Sequence, residues 1–271
     1  MIDLHVHTAR CGHAQGSVAE YVQTATSLGL EVLGMTDHLP LPESVLKRDP
    51  RAAHYAMPEL ELADYVAEVT TAREAQGRSD HLELLLGIEA DYIPDEQEYT
   101  RGLLSRYPFD VVLGSVHMIG DWAFDDPDLT DRYAEWDIGL LWDRYFIEVV
   151  AAARSGLFDV MGHVDLVKKF RFFPDGDLHE RYVALARALT DTGVAIEVNT
   201  AGLRKPCAEL YPALPLLKEF RRAGVPATIG SDAHTPSEVG FGYDLAADAL
   251  REAGYDTVAV FKQRRLREVV L

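Results

Sequence analysis

Seven short runs of β-branched and leucine residues, each with a histidine or carboxylate at or just past its carboxyl end and each followed by a helical pattern, constrain this chain more than any other feature. The runs are Ile2–Val6, Glu31–Thr36, Leu82–Glu89, Asp110–Val116, Asp159–His163, Ala195–Asn199 and Ala227–Gly230, with a weaker eighth at Thr257–Phe261. Amphipathic spacing predicts helices around residues 18–28, 59–76, 95–105, 133–154, 178–192, 212–223 and 243–253. Ser17 before the first of these, and Gly29, Gly193, Gly224 and Gly254 just past helix ends, obey the start and stop rules. Such repetition implies parallel strands joined by right-handed crossovers.

Two architectures satisfy that alternation. An open sheet binding a dinucleotide needs a glycine-rich turn after an early strand, whereas the first strand here runs into HVHTARCGH. A closed barrel instead sets polar functional residues at the carboxyl ends of many strands. The chain does so: His5 and His7, then His13; Asp37 and His38; Glu89 and Asp91; His117; His163; Glu197 and Asn199; Asp232 and His234. Side chains two apart on a strand share a face, so His5 and His7 can reach one ion. The reading is therefore an α/β barrel of parallel strands with a metal cup at its carboxyl-terminal rim.

The donors are nitrogen and oxygen, with no thiolate cluster. That suits Zn²⁺, Mn²⁺ or Fe²⁺ better than Mg²⁺ or Ca²⁺, which favour all-oxygen shells. Carboxylates among many imidazoles point to a bridging ligand and more than one ion, a usual device for hydrolysing phosphate esters and some amides.

With 271 residues and no composition break, residues 1–271 read as one domain. The stretch Leu39–Pro58 holds four prolines and little periodicity, and reads as a lid or as a tolerated surface insertion. Lys and Arg number 26 against 44 Asp and Glu, a net charge of −18, which excludes a general nucleic-acid binder. No long apolar run predicts a membrane span, and MIDLHVHTARCGH carries no secretory pattern. Two cysteines, Cys11 and Cys207, fit reduced thiols in a cytoplasmic protein. The oligomeric state leaves no mark on the sequence.

The strings HVHTARCGHA, GMTDHLPLP, GIEADYIP, VLGSVHMIG, GHVDLVKKF, VNTAGLRKP and Ser231-Asp232-Ala233-His234 resemble the signature of the polymerase and histidinol phosphatase (PHP) superfamily. More narrowly, the chain resembles its histidinol-phosphatases. That resemblance implies a distorted (β/α)7 barrel holding two or three divalent ions of zinc, iron or manganese. Carried over, it implies a first ion on His5, His7, Glu89 and Asp232. A second would share Glu89 and add His117 and His163, and a third would take His13, His38 and His234. His54, His81 and His179 are left as ordinary surface or lid residues.

Glu89, His117, Asp232 and Arg204 are the expected catalytic set. Arg204 resembles the phosphate-clamping arginine of these enzymes, and a guanidinium fits a phosphate bidentately. Lys205, Lys168 and Lys169 are expected substrate contacts beside it. Asp37, Asp91 and Asp165 adjoin ligand positions and read either as orienters of imidazoles or as caps and surface pairs. Glu197 reads as a cup-lining residue or a buttress. Cys11 reads as a packed small side chain.

The implied reaction is hydrolysis of a small phosphomonoester, L-histidinol phosphate, by in-line attack of water activated between ions. Alternatives are a phosphoesterase of the same superfamily with another specificity (a nucleotide 3′-phosphatase, phosphodiesterase or protein-tyrosine phosphatase), a metal-dependent amidohydrolase, and an inactive metal-binding scaffold. Three divalent ions would outweigh the two ligating carboxylates, so an acidic protein can still present a positive focus to an anion.

Overall fold

A computed structural model describes residues 1–76 and 81–271. Seven strands form one sheet: β1 (Ile2–Val6), β2 (Val32–Met35), β3 (Glu83–Asp91), β4 (Val111–Ser115), β5 (Val160–Met161), β6 (Ala195–Asn199) and β7 (Ala227–Gly230). Their order in the sheet is their order in the chain, and every pairing is parallel. A doubly wound sheet reverses strand order at a switch point; this one never does, and it curls into a barrel. The strands are apolar on the helix-facing side and buried on both faces, as parallel strands covered by crossovers must be.

Closure between β7 and β1 is confined to the carboxyl-terminal rim. There His7 N–H donates to the Ala233 carbonyl at 2.8 Å and Ala233 N–H to the His5 carbonyl at 3.3 Å. A register shift within β1 accompanies this single bridge. The barrel is thus distorted, and its one seam lies beside His5 and His7.

Helices α1 (Val18–Leu28), α2 (Glu43–Arg48), α3 (Leu62–Ala75), α4 (Gln97–Leu104), α5 (Ile138–Arg154), α6 (His179–Leu189), α7 (Leu214–Arg222) and α8 (Tyr243–Ala253) accompany the strands. Helix α1 opens with a capping box, Ser17 against Glu20, and ends at Gly29 with φ 71°, a left-handed position only glycine adopts without cost. The stretch 39–58 is better ordered than its prolines implied. It contains α2 and a 3-10 turn at Pro50–His54, and it packs Val45 and Ala52 against Ile93.

The eighth run does form a strand, β8 (Thr257–Lys262), but it stands outside the barrel. It pairs antiparallel with β9 (Arg265–Val270) through a turn with positive φ at Gln263 and Arg264. Ala259 and Phe261 pack on Val111, Leu113, Val160 and Ala195 near the amino-terminal starts of β4–β6, while Arg264 pairs with Asp159 at 2.9 Å. The hairpin therefore covers the end of the barrel opposite the cup.

Candidate metal centre

Glu89, near the end of β3, is 1% exposed and stands at the centre of the rim. Its Oε2 lies 3.3 Å from His5 Nε2, 3.4 Å from His7 Nε2 and 3.1 Å from His38 Nδ1. Its Oε1 lies 3.2 Å from His163 Nε2 and 3.8 Å from His117 Nε2. Asp232 Oδ1 completes the first group, 3.3 Å from His7 Nε2 and 3.8 Å from His5 Nε2. At the outer edge His13 Nε2 and His234 Nε2 are 2.9 Å apart, and His38 stands near both His7 and His13.

These separations carry chemical meaning. Among the described residues, His5 Nε2, both His7 nitrogens and His38 Nδ1 are buried with no hydrogen-bond partner, a costly state for polar atoms. Ring nitrogens facing a carboxylate oxygen need a cation or a proton between them. Two donors about 2.0–2.2 Å from one tetrahedral ion sit about 3.3–3.6 Å apart, close to the 3.1, 3.3 and 3.4 Å found around Glu89 Oε2. Groups of donors within reach of one ion include His5–His7–Asp232, Glu89–His117–His163 and His7–His38–His234. The residues present therefore fit divalent ions. The first group holds three of the four donors expected of it, without Glu89; the second holds the three expected; the third has His7 in place of His13 beside His38 and His234.

Burial and neighbouring charge set the protonation states. Burial would raise the carboxyls of Glu89 and Asp232, but the imidazoles around them outweigh it and hold both well below the usual range. Burial pulls His7 down to about 3 and His38 well below its ordinary value. Both are neutral imidazoles, the form that ligates.

Orienting groups surround the donors. His5 Nδ1 bonds Glu197 Oε1 at 2.7 Å, and the other oxygen of Glu197 accepts His163 N–H at 3.1 Å and Asn199 Nδ2 at 3.0 Å. Asp91 holds His117 Nδ1 at 2.8 Å. Ser115 donates to Glu89 Oε1. Such partners fix tautomer and ring direction. Sequence reasoning flagged Glu197 and Asp91 without choosing a role, and it missed Ser115, whose only signal was its place two residues before His117. Asp37 orients no imidazole: it accepts Thr8 N–H and Thr8 Oγ, both at 2.5 Å. Cys11 is a buried thiol whose pKa burial raises to about 12. His163 and Asp232 have φ of 25° and 52°, conformations that cost non-glycine residues energy and gather at functional sites.

A cavity of about 360 Å³ opens above the cluster. Arg204 reaches it from the turn Ala201–Arg204 after β6. Its Nη2 donates to the carbonyls of Ser231 at 2.9 Å and Asp232 at 3.3 Å, Nε pairs with Glu238 at 3.2 Å, and the guanidinium stacks on Phe241. Its Nη1 is buried and has no hydrogen-bond partner among the described residues. Lys205 and Lys169 also line the cavity, with Lys169 Nζ on Asp125 Oδ2 at 3.1 Å.

Lys168 corrects the sequence reading. It is fully buried and away from the cavity, with Nζ 2.9 Å from Asp165 Oδ2 and 3.2 Å from Glu209 Oε2. Its ammonium is consumed by protein acceptors and cannot contact substrate. Asp165 likewise orients Lys168 and the Ala213 N–H rather than an imidazole.

A parallel barrel with a histidine–carboxylate donor cluster on its carboxyl rim defines a metal-dependent hydrolase. The chain belongs to the PHP domain family, which matches residues 3–201. It is 41% identical to a probable histidinol-phosphatase of Deinococcus radiodurans over 98% of each chain. It is 30% identical to the histidinol-phosphatase of Bacillus subtilis, over 89% of this chain and 96% of that one. Its fold matches the histidinol phosphate phosphatase of Lactococcus lactis, solved with zinc, L-histidinol and phosphate, with TM-score 0.81, 22% identity and 98% of each chain covered.

Proposed function

We propose that this chain is a metal-dependent phosphomonoesterase that hydrolyses L-histidinol phosphate to L-histidinol and inorganic phosphate, in histidine biosynthesis. The full-length likeness to the Deinococcus radiodurans and Bacillus subtilis proteins supports the substrate. The observation that carries the chemistry is the set of imidazole nitrogens around Glu89 that lack a hydrogen-bond partner among the described residues, with Arg204 lining the same cavity.

His5, His7, Glu89 and Asp232 would hold one ion, Glu89, His117 and His163 a second, and His13, His38 and His234 a third. Bound zinc, iron or manganese supplies Lewis-acid charge and an activated water. Arg204 takes the phosphoryl oxygens through its free N–H edge, because its other nitrogens are already tied to backbone and Glu238. Lys205 adds charge at the exposed rim. Lys169 acts through Asp125, which its ammonium holds ionised: burial raises that carboxyl, but Lys169 and His117 bring it to about 2.

Asp125 and Asp126 then form a wall suited to the ammonium and imidazole of the substrate. Tyr55, from the 39–58 stretch, joins that wall by donating to Asp126 Oδ2 at 3.1 Å. The enzyme works as one domain over residues 1–271 and in the cytoplasm, where Cys11 and Cys207 stay reduced. Among the described residues no helix is long and apolar enough to cross a membrane. A small phosphomonoester is its partner, and nucleic acid is not.

Substrate panels on two variants test the assignment. Arg204→Ala is expected to raise KM for every phosphoester. Asp125→Asn is expected to raise KM for histidinol phosphate and leave that for an aryl phosphate unchanged. Equal effects of Asp125→Asn on both substrates would remove the cationic-end role, and an unchanged KM in Arg204→Ala would remove Arg204 from the site.

A further inference from the structure

The geometry points to Lys168 as a positioning residue for anion binding: with Asp165 it clamps the return limb of loop 200–213, and so sets Arg204 in the cavity. This rests on the reading of Arg204 as the phosphate-binding residue.

The loop leaves β6 as the turn that carries Arg204. It returns along residues 207–213 to pair Tyr211 with Asn199, through bonds of 2.6 and 3.0 Å. The two limbs meet at Gly202 with no room between them. A Cβ there would collide with the Glu209 carbonyl and lie 3.0 Å from the Tyr211 ring. Cys207 Sγ also lies against the Gly202 carbonyl at 3.4 Å. Any displacement of the return limb is therefore passed to the turn that presents Arg204.

The return limb is held by the segment after β5. Lys168 Nζ donates to the Leu210 carbonyl at 2.7 Å and pairs with Asp165 and Glu209, so its three N–H bonds meet three acceptors. The ammonium also sits over the Tyr211 ring at 5.4 Å. Asp165 Oδ2 accepts the Ala213 N–H at 2.8 Å, and the Lys169 carbonyl accepts the Cys207 N–H at 3.0 Å. Lys168 and Asp165 are both 0% exposed. A buried ion pair is a poor source of net stability, but one whose hydrogen bonds all end on a single limb fixes where that limb lies.

The test is the inhibition constant of inorganic phosphate, read against aryl phosphate turnover, on zinc-reconstituted protein. Wild type, Lys168→Met, Arg204→Ala and the double variant form a cycle. Lys168→Met is expected to weaken phosphate binding about tenfold while kcat and zinc content hold, and to do much less, under about twofold, when Arg204 is already gone. An equal loss in both backgrounds, or no loss in the first, overturns the clamp, because a generally loosened fold would not act through Arg204. Should Lys168→Met fail to fold, Asp165→Asn removes the charge at constant volume and is held to the same criteria. Wild-type enzyme that phosphate does not inhibit would overturn the anion site itself and the clamp with it; wild type that binds and a variant that binds equally well overturns the clamp alone.

Discussion

Glu89 shows how one side chain organises a site. Each of its oxygens faces at least two imidazoles, and two of those rings are aimed by a further carboxylate, Glu197 behind His5 and Asp91 behind His117. Replacing Glu197 by Gln should weaken metal binding by about 10–100-fold in chelator competition, because the His5 ring loses the carboxylate that fixes its tautomer; unchanged affinity would make Glu197 merely structural. His117 gives a pH dependence with a definite sign. Burial lowers its basicity, but Asp91 outweighs this and lifts it to about 10, so at neutral pH the ring is protonated unless an ion competes. Metal uptake near pH 7 should then release that proton, and affinity should rise with pH toward 10. Calorimetry in buffers of different ionisation enthalpy reads the release, and heats independent of buffer would contradict it. The candidate donors other than His13 stood out in the sequence because each lies at or just past a strand end, a local property. The fate of Lys168 did not, because its acceptors on Glu209 and Leu210 are some forty residues away in sequence and only the fold brings them together.

At the scale of elements, the strand-by-strand order of the sheet follows from the regular alternation, and the strand ends shift by only a residue or two from their expected places. What the alternation hid was the terminal hairpin. Its second strand is exposed at nearly every position, so it carries no burial pattern to read, and β8 alone gave only a weak strand signal. Phe261, 3% exposed, seals the barrel end against Val111 and Val160. Phe261→Ala should cost about 3–5 kcal/mol of stability, seen as a lower denaturation midpoint. The distant cup should keep its zinc stoichiometry; a loss of zinc in the folded variant would show that the two barrel ends are coupled. The 39–58 stretch was legible as irregular, but its α2 was not, since six residues between prolines give too little periodicity to detect.

For the whole molecule, the charge of −18 looked at odds with an anionic substrate. Part of that acidity is structural: the buried side chains of Asp3, Asp110 and Asp159 accept backbone N–H groups of Ser231 and Gly240, of Leu86, and of Val112. At the cup, bound ions together with Arg204 and Lys205 would reverse the local sign. Chelation should therefore lower the melting temperature as well as abolish turnover, since free metal at a hundred times Kd contributes about 2.7 kcal/mol. A melting temperature unmoved by chelator and zinc would contradict a metal centre at Glu89. Phosphate release by the zinc-, manganese- or iron-reconstituted protein decides the substrate. The expected kcat/KM for L-histidinol phosphate lies far above those for nucleotide monophosphates and a generic aryl phosphate; a value no better than that of the aryl ester would refute histidinol phosphate as the substrate.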